Sequence, residues 1–274
     1  MYGEPFHGLF CQRHVLKAGS RRHRIRSHPM QAFLTRLKPR LCKMPGYRFA
    51  LFFYKLAHSQ ESRNAALLML RPPRGLYQPY GTTSIDRYPE TFQQVRSLLE
   101  DGASVRILSF GCSTGEEVFS LRRYFPQAEI VGLDINPFNV AVCRFRRLKA
   151  GDRRMTFAVA SSTDQEANAS YDAIFAMAVF RHGGLNISPP PPESGHRIRF
   201  ADFEQSVADL ARALKPGGFL AIQHAMFRFC DTRAAKEFET MFRVNPDKRE
   251  PLYGRDDCLL PDAEYSDVVF RKIQ

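Results

Sequence analysis

Five residues, Gly111-Cys112-Ser113-Thr114-Gly115, join an apolar run to a segment that opens with Glu116 and Glu117. Glycines at both ends let the backbone turn tightly and let a ligand approach it closely. An acid, Asp134, stands 19 residues beyond Gly115, at the end of a second apolar run. A carboxylate there can accept both hydroxyls of a ribose, the shared logic of nucleoside-cofactor sites. The G-x-x-x-G spacing lacks the three glycines of a dinucleotide site, and acids at a helix start oppose a bound pyrophosphate. They suit a cationic ligand, a sulfonium or an amine. That favours S-adenosylmethionine over NAD.

Two histidines have the right chemistry for moving a proton. His182 and His224 follow apolar runs, and imidazole titrates near neutrality, so either can take a proton from a phenol, hydroxyl or amine. The competing reading makes His182 a loop residue and His224 a hydrogen-bonded packing residue. Glu117 reads as a helix-start charge rather than a base. Tyr77, Tyr80 and Tyr88 lie in a loop that either lids the cofactor or packs. No C-x-x-C pair and no zinc-finger spacing of histidines occurs, so no metal is expected. A site formed by His182, His224 and Cys230 is the weaker alternative.

These residues need elements to hold them. Pro89 suits a first helical turn, and Phe92, Val95 and Leu98 then share one face. Strands are expected at 105–110, 129–135, 155–160, 171–179 and 219–224. Helices are expected at 116–125, 137–149 and 200–214, the last stopped by Lys215-Pro216-Gly217-Gly218. A helix near 232–242, a short strand near 242–245 and a strand near 266–273 complete the pattern. Strands alternating with helices predict an α/β fold: a Rossmann-like, doubly wound, mainly parallel seven-stranded sheet, with ligands at the strands' carboxyl ends.

From about residue 88 to 274 the chain resembles the class I S-adenosylmethionine-dependent methyltransferases. The turn GCSTGEEVFSL is similar to the glycine motif of the chemotaxis-receptor methyltransferases, which read like CSTGEEPYSLA, and LKPGG with FLAIQ resembles a segment common to the superfamily. The resemblance implies that Gly111, Ser113 and Gly115 line the methionine part and that Glu116 lies near its amino group. Cys112 counts among these contacts as a small filler rather than a nucleophile. Asp134 would bind the ribose, with Ile135 and Asn136 beside the adenine. Ser161 and Ser162 sit where an acid often meets the adenine amino group, and the nearest acid here is Asp164. Ala178 and Val179 would flank the transferred methyl. The receptor enzymes' Arg-Asn-x-x-x-Tyr segment is replaced by Met177-Ala178-Val179-Phe180-Arg181-His182, and residues 163–170 leave no room for a docking subdomain. The acceptor is therefore not copied from that family.

Charge divides the chain. Of 274 residues, 1–75 hold 15 Lys+Arg against two acids, and 76–274 hold 25 against 26. This predicts a basic, largely helical extension over 1–75 and a nearly neutral cofactor-binding domain over 76–274, not a uniformly basic nucleic-acid binder. No apolar run reaches the roughly 18 residues of a membrane helix. The cysteine pattern and the lack of a secretory apolar core at the start suggest a reducing, cytoplasmic setting. The expected reaction is methyl transfer to an oxygen or nitrogen of a small-molecule acceptor. Alternatives are a protein carboxyl methyltransferase, an RNA methyltransferase using the basic arm, and a non-catalytic cofactor-binding scaffold.

Overall fold

The computed structural model describes residues 83–246 and 250–273, together with 68, 73, 75–78 and 81. The expected basic, largely helical extension over 1–75 lies outside the described residues, apart from Leu68, Pro73 and Gly75, as does Tyr80.

Five strands run parallel: β1 (Arg106–Phe110), β2 (Glu129–Asp134), β3 (Met155–Val159), β4 (Tyr171–Met177) and β5 (Leu214–Gln223). Two more, β6 (Phe238–Arg243) and β7 (Asp267–Lys272), extend the sheet with antiparallel pairings of β7 to β5 and of β6 to β7. The order is β3-β2-β1-β4-β5-β7-β6. The chain thus steps outward from β1 to β3, then returns to the other side of β1 for β4. That reversal opens a crevice between the carboxyl ends of β1 and β4, where doubly wound sheets bind ligands.

The strands are apolar because both of their faces are covered. Alternate residues feed two cores. Ile107, Ile130, Phe175 and Ala221 face the side that holds Phe92 and Val95 of α1 (Pro89–Leu98), Val118 and Leu121 of α2 (Glu116–Tyr124) and Val140 of α3 (Pro137–Ala150). Leu108, Ile174, Leu220 and Ile222 face Phe203, Val207 and Leu210 of α4 (Phe200–Ala213). No helix among the described residues is long and apolar enough to cross a membrane.

Two expectations fail at the far side of the sheet. In place of a helix over 232–242 there are two short 3-10 turns, Phe229–Asp231 and Ala234–Glu237, followed directly by β6. Helix-prone residues yield here because β7 offers a backbone edge to pair with, and tertiary pairing outweighs local propensity. The LKPGG segment belongs to β5: Leu214 pairs with Tyr171, the register then shifts, and pairing resumes at Ala173 with Phe219. Lys215 Nζ fastens this irregular stretch by donating to both carboxylate oxygens of Asp172, each at 2.8 Å.

Candidate functional site

The glycine turn is sewn onto the end of β2. The backbone N–H groups of Gly111 and Cys112 both donate to the Leu133 carbonyl, at 2.8 and 2.9 Å. Gly111 has φ +74°, and a Cβ there would lie 2.5 Å from Cγ2 of Val179. The position therefore requires glycine twice over, for its dihedral and for its space. Gly115 caps α2 in the left-handed region, at φ +95°.

Asp134 holds the next part of the turn. Its Oδ2 accepts the Ser113 N–H at 2.8 Å, and its Oδ1 accepts the Asn136 N–H at 2.8 Å and Nδ2 of Asn139 at 3.1 Å. Burial pushes its pKa up, and these three donors work against that shift. A carboxylate has about four acceptor sites, so Oδ2 retains one for a further donor.

A cleft opens beside these residues, lined by Gly111, Cys112, Ser113, Asp134, Ile135 and Asn136, and farther along by Ser161 and Ala178. Most of the expected cofactor residues are thus brought together. Ala178 follows β4 in an unusual conformation for a non-glycine residue, φ +56°, and its carbonyl accepts from Nε2 of Gln78 at 3.1 Å. Two hydroxyls on the cleft wall, Oγ of Ser113 and the phenol of Tyr88, are buried without a hydrogen-bond partner. Buried polar groups rarely stay unpaired, so a wall carrying two of them is built for a polar occupant.

The two acids of α2 part company. Glu116 turns away from the cleft, where its carboxylate pairs with Arg146 at 2.7 Å and accepts from Oγ1 of Thr114 at 2.6 Å. Glu117 lines the cleft, half-buried, and accepts from Oγ of Ser109 at 2.7 Å. Burial pushes its pKa up to about 8, against the opposing pull of Ser109 and Arg87. The expectation that Glu117 is a simple helix-start charge is therefore corrected. One residue of helical phase, about 100°, decides which acid faces inward. The legible signal was the buried helix face: Val118 and Leu121 are buried, and Glu117 flanks them on the β1 side, above Ser109.

Ser162 leaves the cleft as well, with its hydroxyl bonded to Asp164 at 2.6 Å among exposed residues. Tyr77 packs edge-on against Phe180 and bonds Oγ of Ser206 at 2.8 Å, so it anchors rather than lids. Neither histidine lines the cleft. His182 is half-buried, its Nδ1 accepts the Gly184 N–H at 3.0 Å, and burial lowers its pKa. His224 ends β5 at φ +55°, with Nδ1 at 2.9 Å from Glu250 and its ring 5.5 Å from that of Tyr88. It is one aromatic ring removed from the cleft. Glu250 also pairs with Arg181. Among the described residues, no three His, Cys, Asp or Glu converge to hold a metal, so the grouping of His182, His224 and Cys230 is not formed.

Residues 101–253 match the family profile described as "Methyltransferase domain". The chain belongs to this family. Methyltransferases also stand among its curated relatives. The chain is 28% identical over 155 residues to the trans-aconitate 2-methyltransferase of Deinococcus radiodurans, covering 54% of this chain and 50% of that one. It is 29% identical over 121 residues to the demethylmenaquinone methyltransferase of Thermus thermophilus, covering 44% of this chain and 47% of that one. The chain thus spans about half the length of the curated relatives it matches. Among solved structures, a phosphoethanolamine N-methyltransferase of Haemonchus contortus, in complex with S-adenosylhomocysteine, aligns at 19% identity with a TM-score of 0.41, over 62% of this chain and 34% of that one.

Proposed function

We propose that this protein is an S-adenosylmethionine-dependent methyltransferase that acts on an oxygen or nitrogen of a small-molecule acceptor. The carrying observation is the cleft at the β1–β4 reversal, where a glycine turn, an acid ending β2, a half-buried acid on α2 and two unpartnered hydroxyls meet. Bound there, S-adenosylmethionine supplies a methyl group already activated on a sulfonium. Asp134, with acceptor capacity left on Oδ2, receives the ribose hydroxyls. Ile135, Asn136 and Ser161 receive the adenine side, and Ser162 stands farther out. Gly111, Cys112, Ser113 and Gly115 admit the methionine part, with Ala178 beside the methyl. Glu117 replaces Glu116 as the carboxyl facing the cationic end, where a bound cation favours its ionised form.

Methyl displacement from a sulfonium needs mainly alignment and exclusion of water. A base is needed only where the acceptor atom carries a proton. Of the two histidines, His224 is the better placed, since Glu250 orients its ring and Tyr88 separates it from the cleft by one ring. The relatives' names, trans-aconitate and demethylmenaquinone, favour a small acceptor over a protein or a nucleic acid. The likeness of the turn to the chemotaxis-receptor enzymes concerns the cofactor alone. Free thiols at all four described cysteines suit a cytoplasmic setting.

Calorimetric titration with S-adenosylmethionine and S-adenosylhomocysteine tests the reading. Micromolar binding is expected for the wild type. Asp134→Ala is expected to weaken it at least about a hundredfold, because a buried acceptor is lost and three donors are left unpaired. No binding by the wild type overturns the proposal.

A further inference from the structure

The outward face of α3 is apolar. Phe138, Val142, Phe145 and Leu148 are 42%, 41%, 57% and 70% exposed. At 100° per residue they fall within an arc of about 120°, and exposed Ala141 lies in the same arc. A solvent-facing helix ordinarily puts charges there, and a contiguous apolar face marks an interaction site. The inner face is fully engaged by Val140 and Cys143 in the core.

Arg144 and Arg146 border this stripe, Lys149 stands within it at the carboxyl end, and Arg147 lies on the opposite, sheet-facing side. α3 carries Arg144, Arg146, Arg147 and Lys149 and no acid. Among the described residues, Arg146 is the one of these paired with a carboxylate, that of Glu116. Arg144 and Arg147 donate to the carbonyls of Phe157 and Met155, and keep their charge. Lys149 lies 4.7 Å from the centre of the Phe145 ring, beside the stripe's most exposed aromatic. An apolar arc edged by arginine and lysine is the pattern of a helix that lies in the interface of an anionic bilayer. Self-association fits poorly, since a second copy would set like charges against each other. The excess of 15 Lys+Arg over two acids in residues 1–75 adds attraction to the same kind of partner.

We propose that the outer face of α3 docks on an anionic lipid surface, with Phe145 and Leu148 entering the headgroup boundary and Arg144 and Lys149 meeting lipid phosphates. Asn136, the N-cap of α3, and Asn139 in its first turn both lie on the cleft wall. Docking by this helix therefore holds the cleft close to the lipid surface.

Co-sedimentation with phosphatidylcholine vesicles, with and without phosphatidylglycerol, tests the proposal. The wild type is expected to sediment with the anionic vesicles, and the double substitution Phe145→Glu, Leu148→Glu to lose at least about tenfold in partitioning. Circular dichroism and thermal melting establish that the variant is folded. The chain has no tryptophan, so Phe145→Trp adds a single reporter whose emission is expected to shift to the blue on anionic vesicles. Three results overturn the proposal: a wild type that stays in solution, a double variant that sediments equally well, or an introduced indole that stays wet on bound protein. A dimer lost in the double variant, with no vesicle binding, also overturns it and makes the face a self-interface.

Discussion

The two halves of the sheet are built for different work. On the β1–β2–β3 side all pairings are parallel, the connections are ordinary helices, and the polar groups at the strand ends are held by backbone donors. On the β5–β7–β6 side the pairings turn antiparallel, and Arg181 and Glu250, from irregular stretches after β4 and β6, meet His224 just after β5 in one hydrogen-bonded group. The first half holds its glycine turn and Asp134 in one hydrogen-bonded arrangement. The second is a frame on which loops carry side chains. This division suits a shared cofactor and an individual acceptor, and loops on rigid scaffolds are where such individuality resides.

The sharpest way to break this comparison is to disable the second half and look for an effect in the first. His224→Asn is expected to cut turnover about a hundredfold with a protic acceptor, the lower range of general-base contributions. Cofactor affinity, read by calorimetry, should stay within about twofold, since the two halves share no ligand group. Unchanged turnover with a carboxylic acceptor and loss with a phenolic one would identify which acceptors need a base. A fall in cofactor affinity would mean the halves are coupled and the division is wrong.

A smaller effect separates the two acids of α2. Glu117→Gln is expected to weaken S-adenosylmethionine binding about tenfold, the worth of one charge-assisted contact. It should also change the pH dependence. Unfolded, this carboxyl ionises near its ordinary 4.5, and in the fold at about 8. Between those values the folded state holds the extra proton. Stability therefore falls as pH rises through that window, by up to about 1.4 kcal/mol per unit, and is level on either side. The glutamine variant should lose this slope in chemical denaturation at pH 5 and pH 8. Cofactor affinity in the wild type runs the other way, rising toward pH 8 as the carboxylate forms.

The smallest effect belongs to the neighbouring acid. Glu116→Gln removes a partly exposed pair with Arg146 and is expected to cost about 0.5 kcal/mol of stability. Cofactor affinity should not change. Equal losses of affinity from both substitutions would show that the inward and outward positions do not differ as their contacts indicate.

The sequence was most readable where one periodicity governed. The parallel strands, their helices, the glycine turn and the place of Asp134 at the end of β2 followed from apolar runs and from glycines whose dihedrals leave no alternative. It was least readable where a partner distant in the chain decides. Helical phase hints at which of Glu116 and Glu117 faces inward, but their partners, Arg146 on α3 and Ser109 on β1, are set by the fold. Nothing local turns 238–243 from helix to strand, because the pairing edge arrives about 30 residues later in β7. The approach of Tyr88 to His224, and the grip of Glu250 on that histidine, join positions 26 to 136 residues apart along a path only the folded chain defines.

The glycine turn also contains sulfur. Cys112 lines the cleft, and the Cys143 thiol donates to the Ser113 carbonyl at 3.2 Å beneath the same turn. Hydrogen bonding with Cys143 and burial together hold the Cys112 pKa well above the usual thiol range. A thiol that keeps its proton reacts slowly with alkylating reagents, because the thiolate is the nucleophile. Cys230 and Cys258, by contrast, are exposed. The molecule thus contains its own clock: the outer sulfurs react first, and those in the turn react only during the moments when it opens. The slow phase measures how often the cleft breathes, and its lengthening as a ligand is added measures how firmly that ligand holds it shut.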